Sequence, residues 1–161
     1  MTERWDRIFL FQAYEWAKAS YDPNTRVGCV VIGPWNETKS TGYNGFPRKI
    51  ADTSERLNDR EMKLKLTVHA ERNAICNAAR VGTSLIGCTL YMAAFSTDAP
   101  DVWYGGNSCT HCAIELIQAG ISEVVSYPFK EGISNWRDDL EFARDILFEA
   151  GVRYREVIPV K

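Results

Sequence analysis

The run Val27-Gly28-Cys29-Val30-Val31-Ile32 is apolar at almost every position. A strand with one wet face alternates polar and apolar residues; a short run without alternation reads as a strand buried on both faces. The sheet that holds this run must therefore be covered on both sides, and helices are the natural cover. On its N-terminal side, Trp5, Ile8, Phe9, Ala13, Trp16 and Ala17 recur at helical spacing, predicting a helix over 2–20. Tyr21-Asp22-Pro23-Asn24-Thr25 ends that helix, because Pro23 cannot continue it. On its C-terminal side, Gly33 to Glu37 reads as a turn and Lys39 to Asn44 as a second strand, giving a hairpin.

Residues 45–66 are polar and read as a long loop with a short helix near Asn58, where Asn58 and Glu61 have capping-box spacing. A helix over 69–80 follows, with Ala70, Ala74 and Ala78 small enough for close packing and Gly82 as its stop. Cys88 to Met92 is a strand. Ala94 to Ser108 has no period and contains Pro100 and Gly105-Gly106, so it reads as a loop. A helix over 109–119, a strand over 122–127, a helix over 136–150 capped by Asn135 and a strand over 153–158 complete the chain. The order α-β-β-α-β-α-β-α-β predicts a three-layer α/β/α domain with five strands, one domain over 1–161.

Bulk properties narrow the function. The chain has 161 residues, 45% apolar and 25% charged, with a net charge of −2. That balance suits a globular domain and weighs against a nucleic-acid surface, which needs a basic excess. A small anionic ligand needs only one or two local cations. No apolar run approaches the roughly 20 residues that span a bilayer, so no membrane partner is expected. Met1-Thr2-Glu3-Arg4-Trp5-Asp6 lacks the form of a secretion signal, which points to the cytoplasm. The five cysteines are an odd number, expected as thiols or metal ligands.

Two stretches carry chemistry: Thr67-Val68-His69-Ala70-Glu71-Arg72-Asn73 and Asn107-Ser108-Cys109-Thr110-His111-Cys112. Cys109 and Cys112 fall on one face of a helix start, where free N–H groups and the helix dipole favour thiolate. His69 also opens a helix. Converging at one sheet edge, the three would grip zinc and leave a fourth position open, the arrangement of a catalytic site. Glu71 is placed for general acid–base work beside it. Alone, Cys-x-x-Cys could be a redox pair or half of a structural site, and His69 a satisfied structural histidine. The pairing of the two motifs is far more specific. Cys29, Cys76 and Cys88 read as small core hydrophobes, and His111, between the ligand cysteines, points to solvent or a supporting role.

At these residues the chain resembles the zinc-dependent cytidine deaminase superfamily, and more narrowly the deoxycytidylate (dCMP) deaminases. Ser20 to Gly28, Thr41-Gly42-Tyr43-Asn44-Gly45-Phe46-Pro47-Arg48 and Leu116 to Ile121 are similar to further segments of that family. The resemblance covers roughly residues 5–127. It implies a cytidine deaminase-like fold on a central mixed five-stranded sheet. It implies one Zn2+ per chain held by His69, Cys109 and Cys112, with Glu71 shuttling protons, and hydrolytic conversion of dCMP to dUMP with release of ammonia. It also implies a homo-oligomer, often a hexamer in relatives, and Mg2+ where a nucleotide effector is bound.

Substrate contacts carry over less directly. Asn44 would lie on the sugar or phosphate side and Arg26 would meet the phosphate, as guanidinium geometry suits. Tyr127 could touch the nucleotide. Without the family, Asn44-Gly45 would be a hairpin turn, Arg26 a solvated residue at a strand start and Tyr127 a half-buried strand aromatic. The chain departs from the family at Ser108, where relatives carry proline, and in an insertion over about 95–107. Trp103 and Tyr104 there could stack on a base, wall the pocket or pack on another subunit. A 5-substituted dCMP, dCTP, a nucleoside or a guanine-type base therefore stay open as substrates. So does a zinc-binding regulatory module without activity.

Overall fold

A computed structural model describes residues 3–106, 108–129 and 137–158. Its elements are α1 (Glu3–Ala17), β1 (Thr25–Ile32), β2 (Thr38–Tyr43), α2 (Ser54–Asn58), α3 (Arg60–Leu66), α4 (Ala70–Val81), β3 (Thr89–Ser96), β4 (Ala99–Tyr104), α5 (Thr110–Gln118), β5 (Glu123–Ser126), α6 (Arg137–Glu149) and β6 (Arg153–Glu156). The strands form one mixed sheet in the order β2-β1-β3-β5-β6, with β4 also paired to β3. β1 runs antiparallel to β2 and β3, whereas β3, β5 and β6 are parallel.

The doubly buried strand is β1, and its alternate residues feed two cores. Val30 and Ile32 join Tyr91, Ala93 and Phe95 of β3 under Phe9, Leu10, Ala13 and Ala17 of α1. Cys29 and Val31 join Leu90 and Met92 under α4, α5 and α6, which contribute Ala70, Ala74, Ala78, Ala113, Leu116, Ala143 and Leu147. The three-layer arrangement is therefore as expected, with one helix on one face and three on the other. Two glycines set the helix-to-sheet spacing. A Cβ on Gly28 would sit 2.2 Å from the carbonyl oxygen of Ala13 in α1, and one on Gly42 would sit 2.1 Å from that of Ala70 in α4. Each helix backbone rests on a strand backbone, an approach only glycine allows.

Three expectations need correction. Among the described residues the sheet has six strands, because the segment read as a loop is a hairpin arm. β3 continues to Ser96, and Ala94, Phe95 and Ser96 pair with Tyr104, Trp103 and Ala99 of β4. β5 covers only Thr89–Met92 of the same edge, so β4 takes over where β5 stops. Pro100 disguised the strand; on an edge its missing N–H costs nothing. The polar segment 45–66 carries two short helices. Thr53 caps α2, and Asp59 rather than Asn58 caps α3 by accepting from the N–H of Met62. Asn44-Gly45 is not a hairpin turn: Gly45 bridges to Val68 through N–H···O bonds of 3.1 and 2.8 Å, which close the base of this segment beside His69. The expected Asn135 cap lies outside the described residues.

Candidate active site

His69 and Cys109 occupy equivalent places. Each is the N-cap of its helix, α4 and α5, with extended backbone (φ −68°, ψ 158° and φ −62°, ψ 163°), and neither side chain caps its own helix. A side chain released from capping is free to face its counterpart. His69 Nδ1 lies 3.4 Å from Cys109 Sγ and 3.4 Å from Cys112 Sγ. The three ligand atoms all fall within 4.8 Å of one another. Tetrahedral zinc, with its usual bond lengths, separates a nitrogen and a sulfur ligand by about 3.5 Å. The donor set and its spacing therefore fit zinc. Among the described residues this is the one cluster of three or more ligating side chains, and the expected Mg2+ gains no support from their arrangement.

The protein's own field prepares these ligands. A hydrogen bond from the Cys112 thiol, joined by His69, holds Cys109 far below the usual thiol range, at about 4. The same bond, with burial, keeps the proton on Cys112 and moves its value up. Hydrogen bonding to Cys109 raises His69. One thiolate is thus ready for a cation, whose charge favours the second.

Glu71 lies in the first turn of α4, buried to 4% exposure. Burial pushes its carboxyl up, while the charge on His69, its own N–H and the hydroxyl of Ser108 pull the other way; the net shift is upward. A carboxyl raised toward neutrality is suited to taking and returning a proton. Arg72 joins α4 to α5 by gripping Glu115, with Nε 2.9 and 3.0 Å from the two carboxylate oxygens. From α6, Asp139 accepts from the N–H of Thr110 at 3.1 Å and so caps α5 next to Cys109.

The other expected site residues divide. Asn44 is 7% exposed and its amide is engaged: Oδ1 accepts from the N–H of Val27 at 2.8 Å and Nδ2 donates to the carbonyl of Thr25 at 2.9 Å. Arg26 is half-buried and donates from Nε to the Asp22 carbonyl at 3.3 Å. Lys63 of α3 reaches the same corner, 3.2 Å from the Asp22 carboxylate, with its side chain only 11% exposed. Lys63 was not singled out from the sequence: a short helix was expected near Asn58, but a lysine in a polar stretch carries no local sign of its partner Asp22, 41 residues away. Trp103 and Tyr127 are not brought to the metal ligands. They pack in the layer under α1, Trp103 lying 4.4 Å from the Tyr14 ring and 5.8 Å from Tyr127. Alternation along β4 turns Trp103 toward that layer. His111 is exposed, and Cys29 and Cys88 are buried, as expected; Cys76 is exposed, contrary to its reading as a core residue.

A histidine and two cysteines at two helix starts, with a buried glutamate beside them on an α/β/α sheet, define a zinc-dependent hydrolytic deaminase. Residues 3–127 match the model of the cytidine and deoxycytidylate deaminase zinc-binding region, and the chain belongs to that family. It is 34% identical over 162 residues to the deoxycytidylate deaminase of Homo sapiens, covering 96% of this chain and 80% of that one. It is 33% identical over 153 residues to an uncharacterized deaminase in the luxG 3' region of Aliivibrio fischeri, covering 94% and 92%. Among solved structures, the dCMP deaminase of cyanophage S-TIM5 in complex with dCMP and dUMP superposes with a TM-score of 0.72 at 19% identity, over 98% of this chain and 99% of that one, a likeness of fold. No helix among the described residues is long and apolar enough to cross a membrane.

Proposed function

We propose that this chain hydrolyses a free cytosine deoxynucleotide, dCMP, to dUMP and ammonia. The observation that carries this reading is the convergence of His69 Nδ1 with the sulfurs of Cys109 and Cys112 at helix starts beside buried Glu71. The human relative named for the same activity supports the choice of nucleotide.

In this reading His69, Cys109 and Cys112 hold the zinc. Zinc, when bound, supplies Lewis acidity that makes water a nucleophile near neutral pH. Glu71 accepts the proton that water loses as oxygen bonds to C4 of the ring. It passes that proton to N3 of the ring and carries the remaining hydroxyl proton to the amino group, so the C4–N bond breaks, the C4 carbonyl forms and ammonia leaves. Arg26 and Lys63, both tied to Asp22, are the cations that meet the phosphate. Asn44 holds the start of β1 in place under them, and its unused amide hydrogen is available to the sugar. We further propose a single-domain homo-oligomer working in the cytoplasm, where thiolate ligands stay reduced. Exposed Trp5 and Trp16, about three turns apart on α1, supply an apolar stripe for such contacts.

A panel of cytosine bases, nucleosides, mono- and triphosphates, 5-substituted dCMP, guanine and single-stranded oligonucleotides, read by ammonia release, tests this. Turnover greatest on dCMP is expected. Preference for another member of the panel would reassign the substrate, and silence across it in zinc-loaded protein would favour a regulatory module.

A further inference from the structure

Two carbonyls on the outer edge of β2 are taken by side chains of α4. Among the described residues β2 is an end strand of the sheet, and Asn44, just past it, donates its N–H to the carbonyl of Val27 at 3.0 Å. In an antiparallel ladder every second residue bonds to the neighbouring strand, so the carbonyls of Thr41 and Tyr43 point away from β1. Nδ2 of Asn73 donates to the Tyr43 carbonyl at 2.7 Å, and Nδ2 of Asn77 donates to the Thr41 carbonyl at 2.8 Å. The spacings match: four residues of helix rise about 6 Å and two residues of strand about 6.6 Å. Both asparagines are half-buried.

The two bonds differ in what lies beside them. Asn73 is one turn past His69, and its own N–H bonds the His69 carbonyl at 2.9 Å. Tyr43 precedes Asn44, and Gly45, which follows Asn44, bridges to Val68, the residue before His69. Asn44 thus sits between two ties to the segment that carries His69 and Glu71. Its side chain is tied elsewhere, to Val27 and Thr25 on either side of Arg26. Those side-chain bonds fix Asn44 relative to β1; the ties at Tyr43 and Gly45 fix it relative to the start of α4. We propose that Asn73 is a positioning residue for Asn44, its amide setting where Asn44 stands relative to the cluster of His69, Cys109 and Cys112. The Gly45–Val68 bridge is main chain alone, so it survives substitution of Asn73, and loss of the amide loosens Asn44 without unfolding the segment. Asn77, one turn further along α4, grips a carbonyl more distant from Asn44 and also accepts from Arg48. The effect on substrate rests on the sugar contact given to Asn44 above.

The test compares three zinc-loaded proteins: wild type, Asn73→Ala and Asn77→Ala. Each variant loses one amide-to-carbonyl bond between the same two elements, so the two should lose similar thermal stability. With the best substrate of the panel, KM should rise about five-fold in Asn73→Ala, the size of one neutral hydrogen bond. In the same variant kcat should stay within two-fold of wild type, because His69 and Glu71 keep their places at the start of α4. Both constants should stay within two-fold in Asn77→Ala, and zinc affinity, by chelator competition, should be unchanged in both variants. A readout that needs no substrate is the side-chain amide resonance of Asn44 in nuclear magnetic resonance. It should shift or broaden in Asn73→Ala and stay in place in Asn77→Ala. A resonance unmoved in Asn73→Ala, or moved equally in both variants, would overturn the proposal. So would an equal rise of KM in both, or loss of zinc from Asn73→Ala. A moved resonance with unchanged KM would uphold the positioning and count instead against the sugar contact of Asn44.

Discussion

Arg72 and Glu115 face each other from neighbouring helices, one residue beyond Glu71 and three beyond Cys112, with Nη2 to Oε1 at 2.7 Å. The pair links the same two helices as the cluster of His69, Cys109 and Cys112. Both side chains are more than a third exposed, so the pair adds little to global stability; its effect belongs to the local alignment of α4 and α5. Replacing Arg72 with Leu should weaken zinc retention about two- to five-fold in chelator competition. Exchanging the charges, Arg72→Glu with Glu115→Arg, should restore most of it.

Glu71→Gln keeps shape and removes the acid–base group. Zinc content should remain at wild-type level, while kcat on dCMP falls roughly 10²- to 10⁴-fold. Metal analysis beside steady-state kinetics checks both halves, and activity retained within ten-fold would end the assignment.

Gly42→Ala places a methyl group 2.1 Å from the Ala70 carbonyl and 2.6 Å from the Ala74 nitrogen. Both are backbone atoms of α4, so the helix must move away from β2, breaking the 2.6 Å bond from Ser40 Oγ to the Ala74 carbonyl. Destabilisation of about 3 kcal/mol is expected in urea titration. Because His69 and Glu71 sit at the start of this helix, zinc affinity should fall as well.

Trp103→Ala tests the placement of this ring under α1. The variant should lose about 3 kcal/mol of stability while KM for the nucleotide stays within two-fold. A large rise in KM with unchanged stability would return Trp103 to the substrate.

Asp6 ties α1 to the last strand. Burial alone would raise its carboxyl. Bonds from two Arg155 nitrogens, each 3.0 Å, and from Tyr91 Oη at 2.8 Å outweigh this and hold it below the usual carboxylate range. The folded value lies below the unfolded one, so the stabilisation is complete above the unfolded value of about 4 and is lost as pH falls through the folded value. Asp6→Asn should cost about 1–3 kcal/mol at pH 7. The difference between variant and wild type should shrink on going from pH 5 to pH 3, as followed by thermal unfolding.

Local signals carried much of this fold. The unbroken apolar run of β1, the alanines of α4 and the spacing of Cys109 and Cys112 each report a buried face, and burial is what sequence period encodes. The residues of the His69, Cys109 and Cys112 cluster were legible because each motif lies within one helix start. Contacts between distant segments were not. Nothing at Arg72 names Glu115, 43 residues away. β4 escaped because Pro100 and Gly105-Gly106 are punctuation in most contexts and harmless on a sheet edge. The face that Trp103 takes depends on strand register, which a presumed loop does not have.

The way β5 and β4 divide one flank of β3 also bears on how molecules of this protein behave in crowded solution. Were β4 absent, the last residues of β3 would offer unpaired amides and carbonyls beside apolar side chains, a template for recruiting strands from other chains. β4 occupies that template and replaces it with a poorer one. Its own outer rim shows exposed Pro100, which has no amide hydrogen, and exposed Asp101, which repels an incoming acidic edge. The arm added to the sheet thus doubles as a guard against aggregation.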